Sequence, residues 1–388
     1  MKENMLVNSI KKTSKVSIIK CESYNQDLVY ETIKKSLEAI GYVLPSKRKV
    51  LLKPNLLSAT GPNENITTHP AIVEAVCRLL KERNCEIVIG DSSGLVEKKG
   101  TLRAFSASGI KEVTEKYGKI IPFEEEPSVT ISNPTGKILK TLHIAKEVHD
   151  AGYIINLPKI KTHVLTKYTG AIKNLFGCVP GALKQKYHII GGTEEGFCQL
   201  LVDIYENVKP QLTIMDAVYG MEGAGPGPSG KSKKLGLIIV SENGAALDYV
   251  ATQIIGYNPM DVLTNKYAAK RGLFRPEDIE VIGKMIRVDF EKPIIAKVLP
   301  FGVFSKIYRE FSKQKPVLNK KNCTKCGLCS RVCPVNVIKM SPYPEFDYSK
   351  CITCYCCHEN CPNSAIKLRR SRMIDAVEKI VTKFMGEK

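Results

Sequence analysis

The chain of 388 residues has no tryptophan, only six histidines and 7% aromatic residues. It also lacks any apolar run near the roughly 18–20 residues that a membrane-spanning helix needs, so no membrane span is expected. The first residues, MKENMLVNSIKKTSK, are basic but carry no apolar leader core, which points to a cytoplasmic protein. No G-x4-G-K-[ST] phosphate loop is present, and the glycine-rich stretch 220–230 does not have that spacing. No G-x-G-x-x-G follows a strand pattern, which leaves nicotinamide and flavin cofactors without support. Acidic residues are scarce: 39 Asp and Glu face 58 Lys and Arg, a formal charge of +19. That excess favours anionic partners, although a solvated lysine surface would look the same. The few aromatics are not interleaved with the lysines, so nucleic-acid binding is unlikely.

Cysteine is what the chain has in plenty. Five of the fourteen (Cys21, Cys77, Cys85, Cys178, Cys198) are scattered, and nine fall between Cys323 and Cys361. Such clustering in a cytosolic chain reads as metal or redox chemistry rather than disulfides. Two runs repeat one spacing: Cys323-x2-Cys326-x2-Cys329-x3-Cys333-Pro334 and Cys351-x2-Cys354-x2-Cys357-x3-Cys361-Pro362. In this bacterial pattern three cysteines wrap one face of a [4Fe–4S] cube and the fourth ligates the other cube. One cluster is thus expected on Cys323, Cys326, Cys329 and Cys361, and the other on Cys351, Cys354, Cys357 and Cys333. Structural zinc prefers paired cysteines and fits these runs poorly. Cys356 is out of register and reads as a non-ligand. With about −2 on each cluster, the loaded chain would carry about +15.

The first 283 residues alternate apolar strands with helical patterns. Strands are expected at 15–20, 49–53, 85–90, 152–157, 211–215, 235–240 and 279–282, and helices at 26–40, 69–83, 194–208 and 244–255. Residues 128–132 and 137–144 read as an antiparallel excursion. This pattern implies an α/β fold with a mostly parallel sheet flanked by helices, followed by a small α+β ferredoxin-like domain. The expected division is a body at 1–283, a basic connector at 284–320, a two-cluster module at 321–369 and an amphipathic helix at 370–388. The connector includes an amphipathic stretch at 300–313. The last helix more often packs on its own protein than on a membrane.

Polar residues gather where strands end, which is where ligands bind in open α/β sheets. Lys53 and Asn55 close the second strand, Asp91 follows the third, and Lys159, Lys161 and His163 follow GYIINL in what reads as a loop. Asp216 and Glu222 follow QLTIM, and Lys173, Lys184 and His188 come from the segment 169–188. The lysines suit a carboxylate or phosphate. Lys161, His163 and His188 are the candidate catalytic groups, the histidines because their ordinary pKa lies near neutrality. Lys53, Asn55, Asp91, Lys159, Lys173, Lys184, Asp216 and Glu222 are the candidate substrate-binding set. Cys178 reads as an isolated, partly buried cysteine rather than a redox thiol.

The strings KPNLL, TTHP, GDSSG, NLPKIKTH, TGAIKNLFG and DAVYGMEGAGP, in that order, resemble the Domain of Unknown Function 362 family from about residue 49 to about 283. Residues 321–369 resemble clostridial-type two-cluster ferredoxins. The resemblance implies an α/β fold and an iron–sulfur association but supplies no reaction. The residues therefore predict an iron–sulfur oxidoreductase that passes low-potential electrons to or from an anionic small-molecule substrate, served by a redox partner protein. The alternative is a non-catalytic electron-transfer or scaffold protein whose body docks that partner.

Overall fold

The computed structural model describes residues 13–94, 99–293 and 314–369. The amphipathic stretch at 300–313 and the C-terminal helix at 370–388 lie outside the described residues. The body is one ten-stranded sheet. In chain order its strands are β1 (Ser14–Lys20), β2 (Lys49–Pro54), β3 (Glu86–Asp91), β4 (Lys119–Pro122), β7 (Ile154–Leu157), β8 (Lys159–His163), β9 (Lys167–Thr169), β10 (Leu212–Gly223), β11 (Gly230–Ser241) and β12 (Ile279–Gly283). The separate hairpin β5 (Ser128–Ser132) and β6 (Thr141–Ala145) is the antiparallel excursion. The spatial order is β12-β1-β11-β10-β7-β2-β3-β4, with β8 branching from β10 and carrying β9. Pairing is parallel except β1–β11, β10–β11 and β8–β9.

Alternation along the strands builds two cores, one on each face, since successive strand residues point to opposite sides. Leu51, Val88 and Ile239 join one core with the helices Glu194–Val208 and Gly244–Ile254. Val50, Leu52, Ile87, Ile89, Ile238 and Val240 join the other with the helices Gln26–Ile40 and Pro70–Glu82. The helix Gln26–Ile40 starts on an Asn25 cap and stops at Gly41, whose φ of 72° lies in the left-handed region that favours glycine.

Two segments differ from the reading of their sequence. Lys159–His163 is a fully buried strand, not a loop. Its polar pattern argues for exposure, but its charges find partners brought in by distant segments. β10 extends into the glycine-rich stretch as far as Gly223, with a bulge between Ala217 and Tyr219. A Cβ at Gly220 would come within 2.9 Å of Ile160 and Phe290, so this close packing requires glycine there.

The C-terminal part has two small antiparallel sheets, β13 (Lys315–Leu318) with β16 (Ile366–Arg369), and β14 (Ile338–Ser341) with β15 (Tyr343–Phe346). Its backbone is a duplication. The shift that carries Cys323 onto Cys351 also carries the helix Leu328–Arg331 onto Cys356–Glu359 and β13 and β14 onto β15 and β16. The same shift carries the left-handed residues Lys325, Gly327 and Asn336 onto Thr353, Tyr355 and Ser364. This is the ferredoxin-like α+β domain.

Candidate functional site

The parallel strands β2 and β3 end side by side, and Lys53 and Asp91 at those ends line a pocket. Lys53 and Asp91 make an ion pair at 2.9 Å with both side chains buried. Asp91 Oδ2 accepts from Leu56 N at 2.9 Å and Oδ1 from Ser92 N at 2.7 Å. Burial pushes the Asp91 carboxyl up, against the pull of Lys53 and Lys184. Gly177 lies on this pair: a Cβ there would overlap Asp91 Oδ1 and come within 2.7 Å of Lys53 Nζ.

Beside the pair runs a chain of amides. Asn55 Oδ1 accepts from Lys161 Nζ at 2.7 Å, and Asn55 Nδ2 donates to Asn174 Oδ1 at 3.1 Å. Asn174 Nδ2 donates to Asn156 Oδ1 at 2.8 Å. Lys161 also donates to Ile66 O at 2.8 Å. Burial, with Lys173 and Lys159 nearby, pulls its pKa down to about 7. The short helix Ala171–Asn174 carries Lys173 and Asn174. It is seated by Asp248, whose carboxylate accepts from Ala171 N at 2.7 Å, Ile172 N at 2.9 Å and Tyr168 OH at 3.0 Å.

Lys173 differs from the other lysines. Its ammonium lies 5.7 Å from the ring centres of both Phe176 and Phe197, and among the described residues it has no hydrogen bond and no ion pair within 4.0 Å. Burial pulls its pKa down, and Glu359 and Cys356 pull it back up. Lys184 donates to Ser92 O, to Ser92 Oγ at 2.9 Å and to Ser93 O at 2.6 Å. Burial pulls its pKa down to about 8.

His188 lines the pocket, stacked on Phe197 with ring centres 4.3 Å apart. Burial and the neighbouring lysines push its pKa down to about 3, so it is neutral at pH 7. His163 is buried below the pocket. Its Nδ1 accepts from Leu165 N at 3.0 Å, which leaves the proton on Nε2, 3.3 Å from Glu359 Oε1. Burial pushes its pKa well below the ordinary value. Burial among lysines thus favours the neutral form of both imidazoles.

The structure thus brings together Lys53, Asn55, Asp91, Lys161, Lys173, Lys184 and His188 around one cavity of about 840 Å³, counted out to its open mouth. Four other candidates do not line it: His163, already described, and Lys159, Asp216 and Glu222. Lys159 and Asp216 form a fully buried pair at 2.9 Å, closed by Tyr24 OH and His69 N on the carboxylate. Every charge there is met, which is a structural arrangement. Glu222 accepts from Glu291 N at 2.9 Å and lies 3.8 Å from Lys233, away from the cavity.

The remaining wall comes from the C-terminal domain through Val332, Cys356, Glu359 and Asn360. The sequence reading treats these as spacers between cysteines. Only the out-of-register Cys356 marked the segment, and Asn174 lay unassigned within TGAIKNLFG. Glu359 is buried, and burial pushes its carboxyl up against Lys173 and Lys161. The domain is fixed to the body by His358 Nε2 against Ala224 O at 3.3 Å and by Gln185 Nε2 donating to Arg331 O at 3.1 Å.

Within that domain Cys323, Cys326, Cys329 and Cys361 line a second cavity, of about 340 Å³ on the same measure. Cys357 lies near Cys354, Cys351, Cys333 and Cys329. Four thiols drawn around one hollow from both halves of the duplication fit the donor set of an iron–sulfur cluster. Among the described residues no helix is long and apolar enough to cross a membrane.

The model of the family described as "Domain of unknown function (DUF362)" matches residues 50–253, and that of a "4Fe-4S binding domain" matches 316–339. The chain belongs to the DUF362 family. A thylakoid-associated protein of Synechocystis sp. is 32% identical over 269 residues, which are 66% of this chain and 79% of that protein. The 4Fe-4S match makes this member an iron–sulfur protein. A crystal structure of a Thermotoga maritima protein superposes with a TM-score of 0.38 at 12% identity, covering 65% of this chain and 60% of that one. The lactate racemase apoprotein of Thermoanaerobacterium thermosaccharolyticum gives 0.36 at 14% identity, over 52% and 50%. At those scores neither likeness bears on the chemistry of this chain.

Proposed function

We propose that this DUF362 protein is a cytoplasmic oxidoreductase carrying two [4Fe–4S] clusters, one on Cys323, Cys326, Cys329 and Cys361 and one on Cys351, Cys354, Cys357 and Cys333. Its substrate is a small anion, a carboxylate or phosphate compound, held in the lysine pocket. The observation that carries this reading is the shared wall: body lysines and residues of the cluster domain line one cavity. Cys356, on that wall, stands two residues from Cys354 and one from Cys357, both ligands of the second cluster in this reading. When bound, the clusters supply one-electron chemistry. The body, ending near Gly283, holds the substrate, and the module to residue 369 adjoins it.

Lys173 is the main anion contact, with Lys161 and Lys184 adding positive charge. Thr169 Oγ1 and Asn360 Oδ1 line the same cavity, are buried, and have no hydrogen-bond partner among the described residues. These orphaned atoms favour a ligand over an idle cleft, because buried polar groups normally have partners. They also favour an enzyme over a scaffold. The five scattered cysteines stand as buried free thiols, which supports a reducing compartment. Anaerobic purification tests the reading. It predicts about eight irons per chain and a co-purified anion that Lys173→Met releases. About four irons, or no anion, contradicts it.

A further inference from the structure

The two cavities share no residue. The pocket takes its wall from Cys356, beside the second cluster site, while the cavity of the first is lined by other residues, among them the exposed Cys326. Lys325 lines that mouth, and Lys320 lies close by: their ammonium groups sit 4.8 Å and 5.4 Å from the ring centre of the same residue, Tyr343. Lys321 stands beside Lys320 in the short turn Lys320–Asn322. All three lysines are exposed, and none has an acidic side chain within 4.0 Å among the described residues. Glu345, on the strand that carries Tyr343, stands opposite Lys339 in the strand register.

We infer that Lys320, Lys321, Lys325 and Tyr343 form a docking surface for a small acidic electron-carrier protein, next to the outer cluster site. The inference rests on the two-cluster reading of the proposed function. Complementary charge steers such encounters and fixes orientation more than it adds affinity. An exposed ring of unpaired lysines beside a thiol-lined mouth has the required form. The carrier gives up one electron per encounter and the outer cluster gains it, with no bond made or broken. The half-buried Tyr343 adds an apolar contact within the charged ring, as interface aromatics do.

The test uses the full-length holo-protein and oxidised flavodoxin, an acidic carrier whose flavin spectrum is distinct from that of iron–sulfur clusters. Equilibrium binding at low salt is measured for the wild type and for the K320E/K321E/K325E variant, with iron content and visible spectrum recorded on both. The expected result is at least a tenfold weaker Kd in the variant, a flattened salt dependence, and unchanged iron content. Equal affinity in the two proteins overturns the inference. So does loss of iron in the variant with full affinity in its remaining holo fraction, because the lysines would then serve only to offset cluster charge. A wild type with about four irons that still binds flavodoxin through the lysines refutes the two-cluster reading but leaves the docking surface standing.

Discussion

Lys173→Met should weaken ligand binding without weakening the fold. The ammonium is desolvated, faces two phenyl rings and has no hydrogen-bonding partner among the described residues, so its charge is a cost in the empty pocket. Methionine keeps the length and packs on Phe176 and Phe197, which leaves the melting temperature level or a few degrees higher. With an anion bound, the same ammonium makes a charge-assisted hydrogen bond worth about 1.5–3 kcal/mol. Its loss weakens binding by about 10- to 150-fold. Calorimetric titration of anaerobic holo-protein with oxalate and with inorganic phosphate reads the affinity, and thermal melts read the fold. Unchanged affinity for both anions would refute the assignment. So would a melting temperature lowered by more than about 5 °C, which would make Lys173 a structural residue.

Other predictions follow from the same geometry. Asp91→Ala strands the buried Lys53 charge and should cost about 3–5 kcal/mol in denaturant unfolding, most of it recovered in the Lys53→Met/Asp91→Leu double variant. A loss below about 1 kcal/mol would show the pair to be dispensable. Anion affinity should fall as pH rises from 6 to 9. Lys161 and Lys184 lose their protons near about 7 and about 8 in the empty pocket. A bound anion favours their charged forms, so binding takes up protons and is strongest below pH 7. A flat profile would mean that neither lysine contributes. Gly177→Ala should destabilise by about 1–3 kcal/mol, since its methyl overlaps Asp91 Oδ1, and a stability equal to wild type would show that the loop gives way freely.

Much of the fold is written in local periodicity. The helices Gln26–Ile40 and Glu194–Val208 fall where their patterns place them, because cap, amphipathic face and stop are all within the segment. β8 is different: KIKTH has the polarity of a loop and becomes a buried strand only because Asp216, Asn55 and Ile66 O arrive to meet its lysines. The same long-range pairing separates Lys159 from Lys161, two residues apart on one strand, into a closed ion pair and a pocket wall. The histidines depart from their ordinary pKa for a related reason, burial among lysines. Glu359 and Asn360 were hidden inside a cysteine motif whose spacing already had an explanation. Their second role exists only because the two domains meet.

The most direct test of the claim that the cluster domain serves the lysine pocket is a spectroelectrochemical titration, followed by electron paramagnetic resonance, with and without saturating oxalate. Negative charge bound beside the second cluster site disfavours its reduction. The account predicts that one of two cluster potentials falls on adding oxalate, that the other does not move, and that Lys173→Met abolishes the shift. Two potentials indifferent to oxalate, in a protein shown to bind it, would contradict the account.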